Sequence, residues 1–266
     1  MNLAGDLFSP DDLKRIEAET FVRSLECYRE LPSTNDLALE LATRDEVILP
    51  MLVIAESQTA GRGRGGNLWW SMSGALTFSL VLDTTACGLP KNCWPQASLT
   101  AGLSVCEALE NLRPDLKCGL KWPNDVYIRW RKICGVLVEV PQSSNNRLVI
   151  GVGINVNNSL TAAPQEIQAI ATSLHDETQQ HFDLADILIE VLRYLALWLD
   201  LVGSGSGELS QAWQHRCILR GRTIHLDLGA KRVAGICRGI DTDGALMLQT
   251  DAGLQRFYTG AVARIE

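Results

Sequence analysis

The sequence contains the stretch Gln58-Thr59-Ala60-Gly61-Arg62-Gly63-Arg64-Gly65-Gly66, directly after the apolar run 51–57. A second segment, Lys121-Trp122-Pro123-Asn124-Asp125, follows the short apolar run 118–120. Such runs predict strands, so both segments are expected where a sheet edge presents side chains to a ligand. Together they indicate a site for a phosphorylated or anionic substrate.

The pattern around these segments predicts a mixed α+β fold. Apolar residues recur at helical spacing over 94–112, and strands are expected at 75–82, 126–130, 133–140 and 148–156. Because the turns between successive strands are short, antiparallel pairing is favoured. The apolar segment 187–202 is interrupted by Glu190, Arg193 and Asp200, which predicts a core helix rather than a membrane span.

The chain is expected to divide at Gly203-Ser204-Gly205-Ser206-Gly207, a stretch with the composition of a flexible linker. This predicts a large domain at 1–207 and a small one at 208–266. In the second, short strand-like runs at 223–228, 233–240, 245–249 and 254–258 alternate with turn signals. That spacing is typical of a small all-β barrel.

The arginine-glycine stretch has three interpretations. Its glycines let the backbone approach a ligand closely, and Arg62 and Arg64 supply planar cationic forks suited to carboxylate or phosphate. It also fits a solvated flexible turn, or an RNA contact of the kind made by arginine-glycine repeats. The formal net charge of −7 disfavours binding of nucleic acid through bulk electrostatics.

Three further segments have both structural and functional interpretations. Lys121 is expected at the end of a strand, where it either directs one positive charge at a ligand or forms an exposed hairpin corner. Ser33-Thr34-Asn35-Asp36 precedes periodic leucines, which is typical of a helix N-cap. In Gly151-Val152-Gly153-Ile154-Asn155, glycines interrupt a predicted strand, which indicates that another group approaches closely.

Several classes of site are not indicated. The sequence has no phosphate-binding P-loop and no G-x-G-x-x-G at the start of a helix. Its four histidines and eight cysteines lack metal-ligand spacing, and the cysteines are expected to be reduced and buried. The N-terminus lacks a signal-peptide pattern, and no apolar run reaches about 18 residues, so a cytoplasmic protein is expected.

The motifs stand in an order that resembles the biotin protein ligases, or biotin–[acetyl-CoA-carboxylase] ligases. The resemblance covers about 31–174 and rests on five groups of residues. The first three are Ser33-Thr34-Asn35, the stretch 58–66 with Trp69, and Lys121 through Asp125. The last two are Arg131-Lys132 with Gly135 and Glu139, and Gly151 through Asn155. It implies a class II synthetase-like domain, a mixed and largely antiparallel sheet with flanking helices, followed by an SH3-like barrel. Only about 30 residues precede Ser33, too few for a winged DNA-binding module, so a catalytic-only ligase is expected.

The resemblance implies a two-step reaction. Biotin and ATP give biotinyl-5′-AMP and pyrophosphate, and a lysine of a biotin carboxyl carrier protein then takes the biotinyl group. Mg²⁺ is expected as a companion of ATP, with no permanently bound cofactor and no protein metal site. The expected partners are biotin, ATP and the carrier protein, without DNA or membrane. Many members of the family dimerise, so a homodimer is compatible with the resemblance.

The site residues carried over by the resemblance fall into three groups. The catalytic residues are Lys121 and Arg64. The biotin-binding residues are Ser33, Thr34, Asn35, Gln58, Arg62, Gly63, Arg64 and Lys121. The residues that bind ATP or the adenylate are Arg64, Trp69, Asn124, Lys132 and Asn155.

Two alternatives remain open from the sequence. A lipoate or octanoate ligase of the same superfamily would share the fold and an essential lysine. A non-enzymatic nucleotide-binding or RNA-binding module would instead show salt-sensitive affinity for nucleic acid and no pyrophosphate release.

Overall fold

A computed structural model describes residues 7–142 and 146–266. The chain folds into a seven-stranded mixed sheet with flanking helices, followed by a five-stranded antiparallel sheet. The predicted α+β class is therefore confirmed. All eight cysteines lie in the described residues, and no disulfide bond joins any two of them.

The bounds of the elements are as follows. The helices in the described residues are α1 (Pro10–Glu19), α2 (Thr34–Leu41), α3 (Ala97–Leu112), α4 (Gln165–Gln168), α5 (Leu174–Thr178), α6 (Leu184–Gly203) and α7 (Glu208–Arg216). The first sheet contains β1 (Ser24–Leu31), β2 (Met51–Gln58), β3 (Leu76–Asp83), β4 (Cys118–Lys121), β5 (Asp125–Ile128), β6 (Arg131–Glu139) and β7 (Arg147–Ile154). The second contains β8 (Thr223–Asp227), β9 (Arg232–Ile240), β10 (Leu246–Thr250), β11 (Gly253–Phe257) and β12 (Ala261–Ile265).

The strand order of the first sheet brings distant segments together. The order is β1-β2-β3-β7-β6-β5-β4, with β1 and β2 parallel and every other pair antiparallel. Antiparallel pairing was predicted and is confirmed for those strands. The β1–β2 pair differs because α2 lies between the two strands and carries the chain back to the same end.

The central strands are buried on both faces, which explains their nearly continuous apolar sequence. Alternate residues face opposite sides because the side-chain period of a strand is two. One face packs against α3, which in turn packs against α6, and Leu52, Ile54, Phe78, Leu80 and Ile150 belong to this core. The other packs against α2 through Val53, Val81 and Val149.

The longest helix, α6, begins at a well-formed cap. The Asp183 carboxylate accepts hydrogen bonds from the backbone N–H groups of Ala185 and Asp186, at 2.8 and 3.2 Å. One face of the helix is buried against α3, which confirms the predicted core helix. Among the described residues, no helix combines the length and apolar character needed to cross a membrane.

The second sheet has the order β11-β10-β9-β8-β12. The four strands predicted in the tail are confirmed, whereas β12 is an addition that pairs with β8. Gly205 and Gly207 adopt positive φ angles of 73° and 72° in the turn before α7. Helix α7 contacts α3, α6 and β9, so it packs on both parts of the molecule. The domain boundary at 207 and 208 stays a prediction.

Replacement of Trp213 in α7 by alanine tests this packing. Trp213 is 1% exposed, and its indole N–H donates to the Leu99 carbonyl at 3.2 Å. We expect Trp213→Ala to lower the free energy of unfolding by about 3–5 kcal/mol, as for other large truncations in cores. The matched control is Leu197→Ala on α6, where the side chain is 51% exposed and the change should stay within about 0.5 kcal/mol. Urea denaturation followed by circular dichroism measures both, and equal losses would contradict the packing described.

Candidate active site

A cavity of about 600 Å³ lies between the first sheet and the C-terminal sheet. The end of β2, the arginine-glycine stretch, the turn after β4 and the middle of β6 and β7 line it from one side. Residues 227–229 and 259–262 line it from the other. The residues predicted from sequence that line it are Ser33, Thr34, Asn35, Gln58, Arg62, Gly63, Arg64, Trp69, Lys121, Asn124 and Lys132.

The start of α2 is fixed by a buried hydrogen-bond network. Ser33 caps the helix, as predicted, since its hydroxyl accepts from the Asp36 N–H at 3.5 Å. The Thr34 backbone N–H donates to Gln58 Oε1 at 2.7 Å. The Ser79 hydroxyl on β3 donates to Asn35 Oδ1 at 2.6 Å, and its oxygen lies 2.8 Å from Thr34 Oγ1. The capping and binding-site interpretations are therefore compatible, because the cap also forms a wall of the cavity.

Two glycines of β7 make room for side chains of the site. A Cβ at Gly151 would lie 2.0 Å from Asn35 Oδ1, and a Cβ at Gly153 would lie 2.4 Å from Trp69 Cε2. The sequence predicted a close approach here, and the approaching groups are the protein's own side chains. Each glycine thus sets the depth of a residue that lines the cavity.

Arg62 is neutralised within the protein. Its Nη1 and Nη2 donate to the two carboxylate oxygens of Glu139 at 3.0 and 2.7 Å, and its Nε lies 2.8 Å from Asp36 Oδ1. The hydrogen bonds to Glu139 raise the pKa of Arg62. Glu139 also accepts from Asn35 Nδ2 at 2.9 Å. This cluster ties the arginine-glycine stretch to α2 and β6, so Arg62 anchors the stretch rather than offering a free charge.

Arg64 reaches across the cavity. Its Nη1 donates to the Gly260 carbonyl of the C-terminal sheet at 2.6 Å. Within the described part of the chain, it forms no ion pair. Burial lowers the pKa of Arg64, and Asp125 partly offsets that effect. The guanidinium therefore remains a partly desolvated cation with donors to spare.

Lys121 is the last residue of β4, as predicted, and the Trp122–Pro123 peptide bond that follows is cis. Its Nζ lies 5.7 Å from the centre of the Tyr127 ring. No hydrogen bond or ion pair to its Nζ occurs among residues 7–142 and 146–266. Burial lowers the pKa of Lys121, with Lys132 acting in the same direction and Asp125 in the opposite one. Lys121 thus offers an uncompensated positive charge to the cavity.

Lys132 and Trp69 form a second part of the wall. Lys132 Nζ lies 2.6 Å from Asp125 Oδ1 and 6.0 Å from the centre of the Trp69 ring. A Cβ at Gly135 would lie 3.1 Å from that Nζ, so this glycine leaves room for the ammonium group. The Trp69 indole N–H is shielded from solvent and has no hydrogen-bond partner among the described residues. It is a buried donor with its hydrogen bond unmade, which is uncommon in a native structure and marks this part of the wall as a place where a further group could complete the bond.

Two predicted nucleotide-binding residues have structural partners. Asn124 lines the cavity, but its Nδ2 donates to the Val136 carbonyl at 2.7 Å and stabilises the turn after β4. Asn155 is not among the lining residues, and its nucleotide-binding role stays a prediction. It is 3% exposed, and its side chain bonds to the Thr172 carbonyl and to Asn158 at 3.1 Å each. A carboxamide satisfied in this way holds the chain after β7 in place.

The residues that sequence reasoning missed are Ser79, Glu139 as an anchor, and the wall formed by 227–229 and 259–262. A polar residue inside the apolar strand β3 was the available signal for Ser79. The wall gave none, because its contribution depends on how the two sheets pack.

The described residues contain no group of three or more His, Cys, Asp or Glu that could hold a metal ion. The acidic residues lining the cavity are Asp125 and Asp227. Asp125 pairs with Lys132 and Asp227 with Arg232, at 2.6 and 3.2 Å. Since both carboxylates have cationic partners, they do not fit a metal ion held by the protein alone.

Comparisons with known proteins agree with this architecture. Residues 27–157 match the Biotin/lipoate A/B protein ligase family, and residues 220–264 match the Biotin protein ligase C terminal domain. The biotin--[acetyl-CoA-carboxylase] ligase of Mycobacterium tuberculosis is 35% identical over 229 residues, covering 85% of this chain and 83% of the relative. The chain belongs to the biotin protein ligase family.

Two further matches cover nearly the whole length of biotin protein ligase family members. The biotin--[acetyl-CoA-carboxylase] ligase of Paracoccus denitrificans is 34% identical, covering 84% of this chain and 93% of the relative. The solved structure of a biotin protein ligase from Aquifex aeolicus in complex with biotin and ATP is 31% identical. It has a TM-score of 0.79 and covers 92% of this chain and 100% of that one.

The anchor at Glu139 gives a prediction for this biotin protein ligase family member. We expect Glu139→Gln to release the arginine-glycine stretch, because a neutral amide cannot replace the bidentate ion pair. Tryptic cleavage after Arg62 and Arg64 should become about 10-fold faster, the effect of losing one hydrogen bond to a charged group. The control is Asp36→Asn, which leaves the Glu139 contacts intact and should have a smaller effect. Equal cleavage rates for wild type and Glu139→Gln would contradict the anchor.

Proposed function

We propose that this protein is an ATP-dependent ligase that activates biotin as biotinyl-5′-AMP. It then transfers the biotinyl group to a specific lysine of a biotin carboxyl carrier protein. The observation that carries the proposal is the half-buried Lys121, which forms no ion pair with any described residue and faces a cavity also lined by Arg64. Membership in the family, and relatives named as biotin ligases, support the choice of substrates.

The first step requires stabilisation of negative charge. A carboxylate oxygen of biotin forms a bond to the α-phosphorus of ATP, and the bond between the α-phosphorus and the bridging oxygen breaks as pyrophosphate leaves. Lys121 provides a charge for the carboxylate and the adenylate phosphate, and Arg64 provides a second. Such fixed cations stabilise the transition state because they need little reorganisation as charge develops.

The second step is an acyl transfer. The amine of the carrier lysine, after losing its proton, attacks the acyl carbonyl of the mixed anhydride, and AMP leaves with the electron pair of the broken C–O bond. The cavity is bounded on both sides, which limits hydrolysis of the anhydride by water. The same cations that stabilise the adenylate then stabilise the departing phosphate.

We assign the other predicted site residues to the biotin side or the nucleotide side of the cavity according to which of their hydrogen-bonding groups already have partners. We assign biotin contacts to the α2 start and Gln58, together with Gly63 of the arginine-glycine stretch. Asn35 and Arg62 shape that pocket through their bonds to Glu139. Trp69 and Lys132 are assigned to the nucleotide side, where the free indole N–H favours such a role. Asn124 maintains the adjacent turn.

Mg²⁺ accompanies ATP in this proposal. When bound, it would reduce the charge of the triphosphate and make pyrophosphate a better leaving group. The two acidic lining residues are already paired, so no step is assigned to an ion held by the protein. The biotin carboxyl carrier protein is the proposed macromolecular partner. We propose that the ligase itself acts in the cytoplasm. We also propose a homodimer, which the family resemblance permits.

Pyrophosphate release tests this function directly. We expect the wild type to release pyrophosphate from Mg-ATP with biotin and not with lipoate, and Lys121→Ala to lose at least about 100-fold, as for removal of one charge-stabilising group. The control is Lys117→Ala, an exposed lysine outside the cavity. Release with lipoate would support the related acyl ligase, and no release with either acid would exclude adenylation.

The lowered pKa of Lys121 gives a pH dependence. Because burial favours the neutral amine, the ammonium form is lost at a lower pH than in a free lysine. The rate of biotin-dependent pyrophosphate release should therefore fall as pH rises, with an apparent pKa below about 10.4. Lys121→Arg should be slower but lack this alkaline fall. A fall of the same midpoint in Lys121→Arg would assign it to another group.

A further inference from the structure

The C-terminal sheet contributes a backbone acceptor to the cavity. The turn between β11 and β12 lines the cavity, and the Gly260 carbonyl in it accepts from Arg64 Nη1 at 2.6 Å. The two residues are 196 positions apart in sequence. This contact joins the arginine-glycine stretch to a separate sheet.

The turn requires glycine at 260. Gly260 has a φ of +137°, in the range that side chains of L-residues rarely adopt. A Cβ there would lie 2.9 Å from Leu226 Cδ1 and 3.1 Å from the Asp227 carbonyl oxygen. Any larger residue must therefore shift the turn, and the carbonyl that Arg64 contacts would move with it.

A second contact ties the Lys121 side of the cavity to the same sheet. The Trp122 indole N–H donates to the Gly244 carbonyl at 3.3 Å. A Cβ at Gly244 would lie 2.7 Å from Leu99 Cδ1, so this turn packs closely on α3. The two segments that carry Lys121 and Arg64 are thus both held by backbone carbonyls of the C-terminal sheet.

We propose that Gly260 is a positioning residue, whose carbonyl seats Arg64 in its working position before substrate binds. The inference rests on the proposed function for its kinetic consequences, but not for the contact itself. A guanidinium has five N–H donors, so one can remain on Gly260 while others reach a phosphate. The carbonyl also replaces part of the hydration that Arg64 loses in the cavity. Arg64 then needs little rearrangement when the negative charge develops.

Gly260→Ala and a matched variant test this role. The control is Gly253→Ala, where φ is +100° but a Cβ would meet nothing within 4 Å. Both variants strain a turn of the same sheet, but only Gly260→Ala moves the carbonyl that accepts from Arg64. We expect Gly260→Ala to lower kcat for biotin-dependent pyrophosphate release about 10-fold, the effect of one hydrogen bond. The KM for biotin should change little, and Gly253→Ala should match the wild type.

A double-mutant cycle separates seating from general damage. In an Arg64→Ala background, Gly260→Ala should cause no further loss, because the group it positions is absent. An undiminished loss in that background would overturn the proposal. So would wild-type kcat in Gly260→Ala, or an equal loss in Gly253→Ala. Thermal unfolding of all four proteins establishes that each is folded at the assay temperature.

Hydrogen exchange gives a test that depends neither on catalysis nor on the folding of Gly260→Ala. In the ligand-free protein, Arg64→Ala should accelerate exchange both at 61–69 and at 259–262, because the contact restrains both segments. Exchange unchanged at 259–262 would overturn the inference. Absence of pyrophosphate release from the wild type would instead refute the proposed function and leave the exchange result standing.

Discussion

The cavity depends on the burial of two cations that have no carboxylate partner in the described part of the chain. Of the described residues, four cationic side chains line the cavity, and two of them are neutralised: Arg62 by Glu139 and Asp36, and Lys132 by Asp125. Lys121 and Arg64 keep their charge in a partly desolvated setting, which lowers both pKa values. An anion that enters recovers the electrostatic energy that burial has cost. Because the charges of Arg62 and Lys132 are paired, the attraction for an anion is concentrated near Lys121 and Arg64.

The paired cations also fix the positions of the segments that line the cavity. Glu139 receives Arg62 and Asn35, so one carboxylate links the arginine-glycine stretch, α2 and β6. Asn35 can approach β7 because Gly151 has no Cβ. Ser79 on β3 extends this hydrogen-bond network to Thr34 and Asn35. A network in which most groups have partners holds its members rigidly, and rigidity preserves the orientation of the unpaired charges.

Sequence reasoning located the cavity because its main segments follow strong strand signals. Lys121 at the end of β4 and Ser33 as a cap follow from local chemistry, so both were predictable. The role of Arg62 was not, since Glu139 lies 77 residues away and its pairing depends on strand order. The role of Asn155 could not be fixed from the sequence, because an asparagine next to a strand can bond to the backbone as readily as to a ligand. Strand β12 is mostly exposed and gave a weak pattern.

The contact between Arg64 and Gly260 was beyond sequence reasoning for a different reason. Its acceptor is a backbone carbonyl, so no side-chain type marks the position, and its geometry depends on how two sheets pack. That packing is maintained by α7, where Trp213 bonds to Leu99, and by the turn at Gly244, which meets the same leucine. Leu99 therefore lies where the two sheets are joined. The alignment of the cavity wall at 259–262 with Arg64 therefore depends on core packing around Leu99 as well as on the hydrogen bond to the arginine.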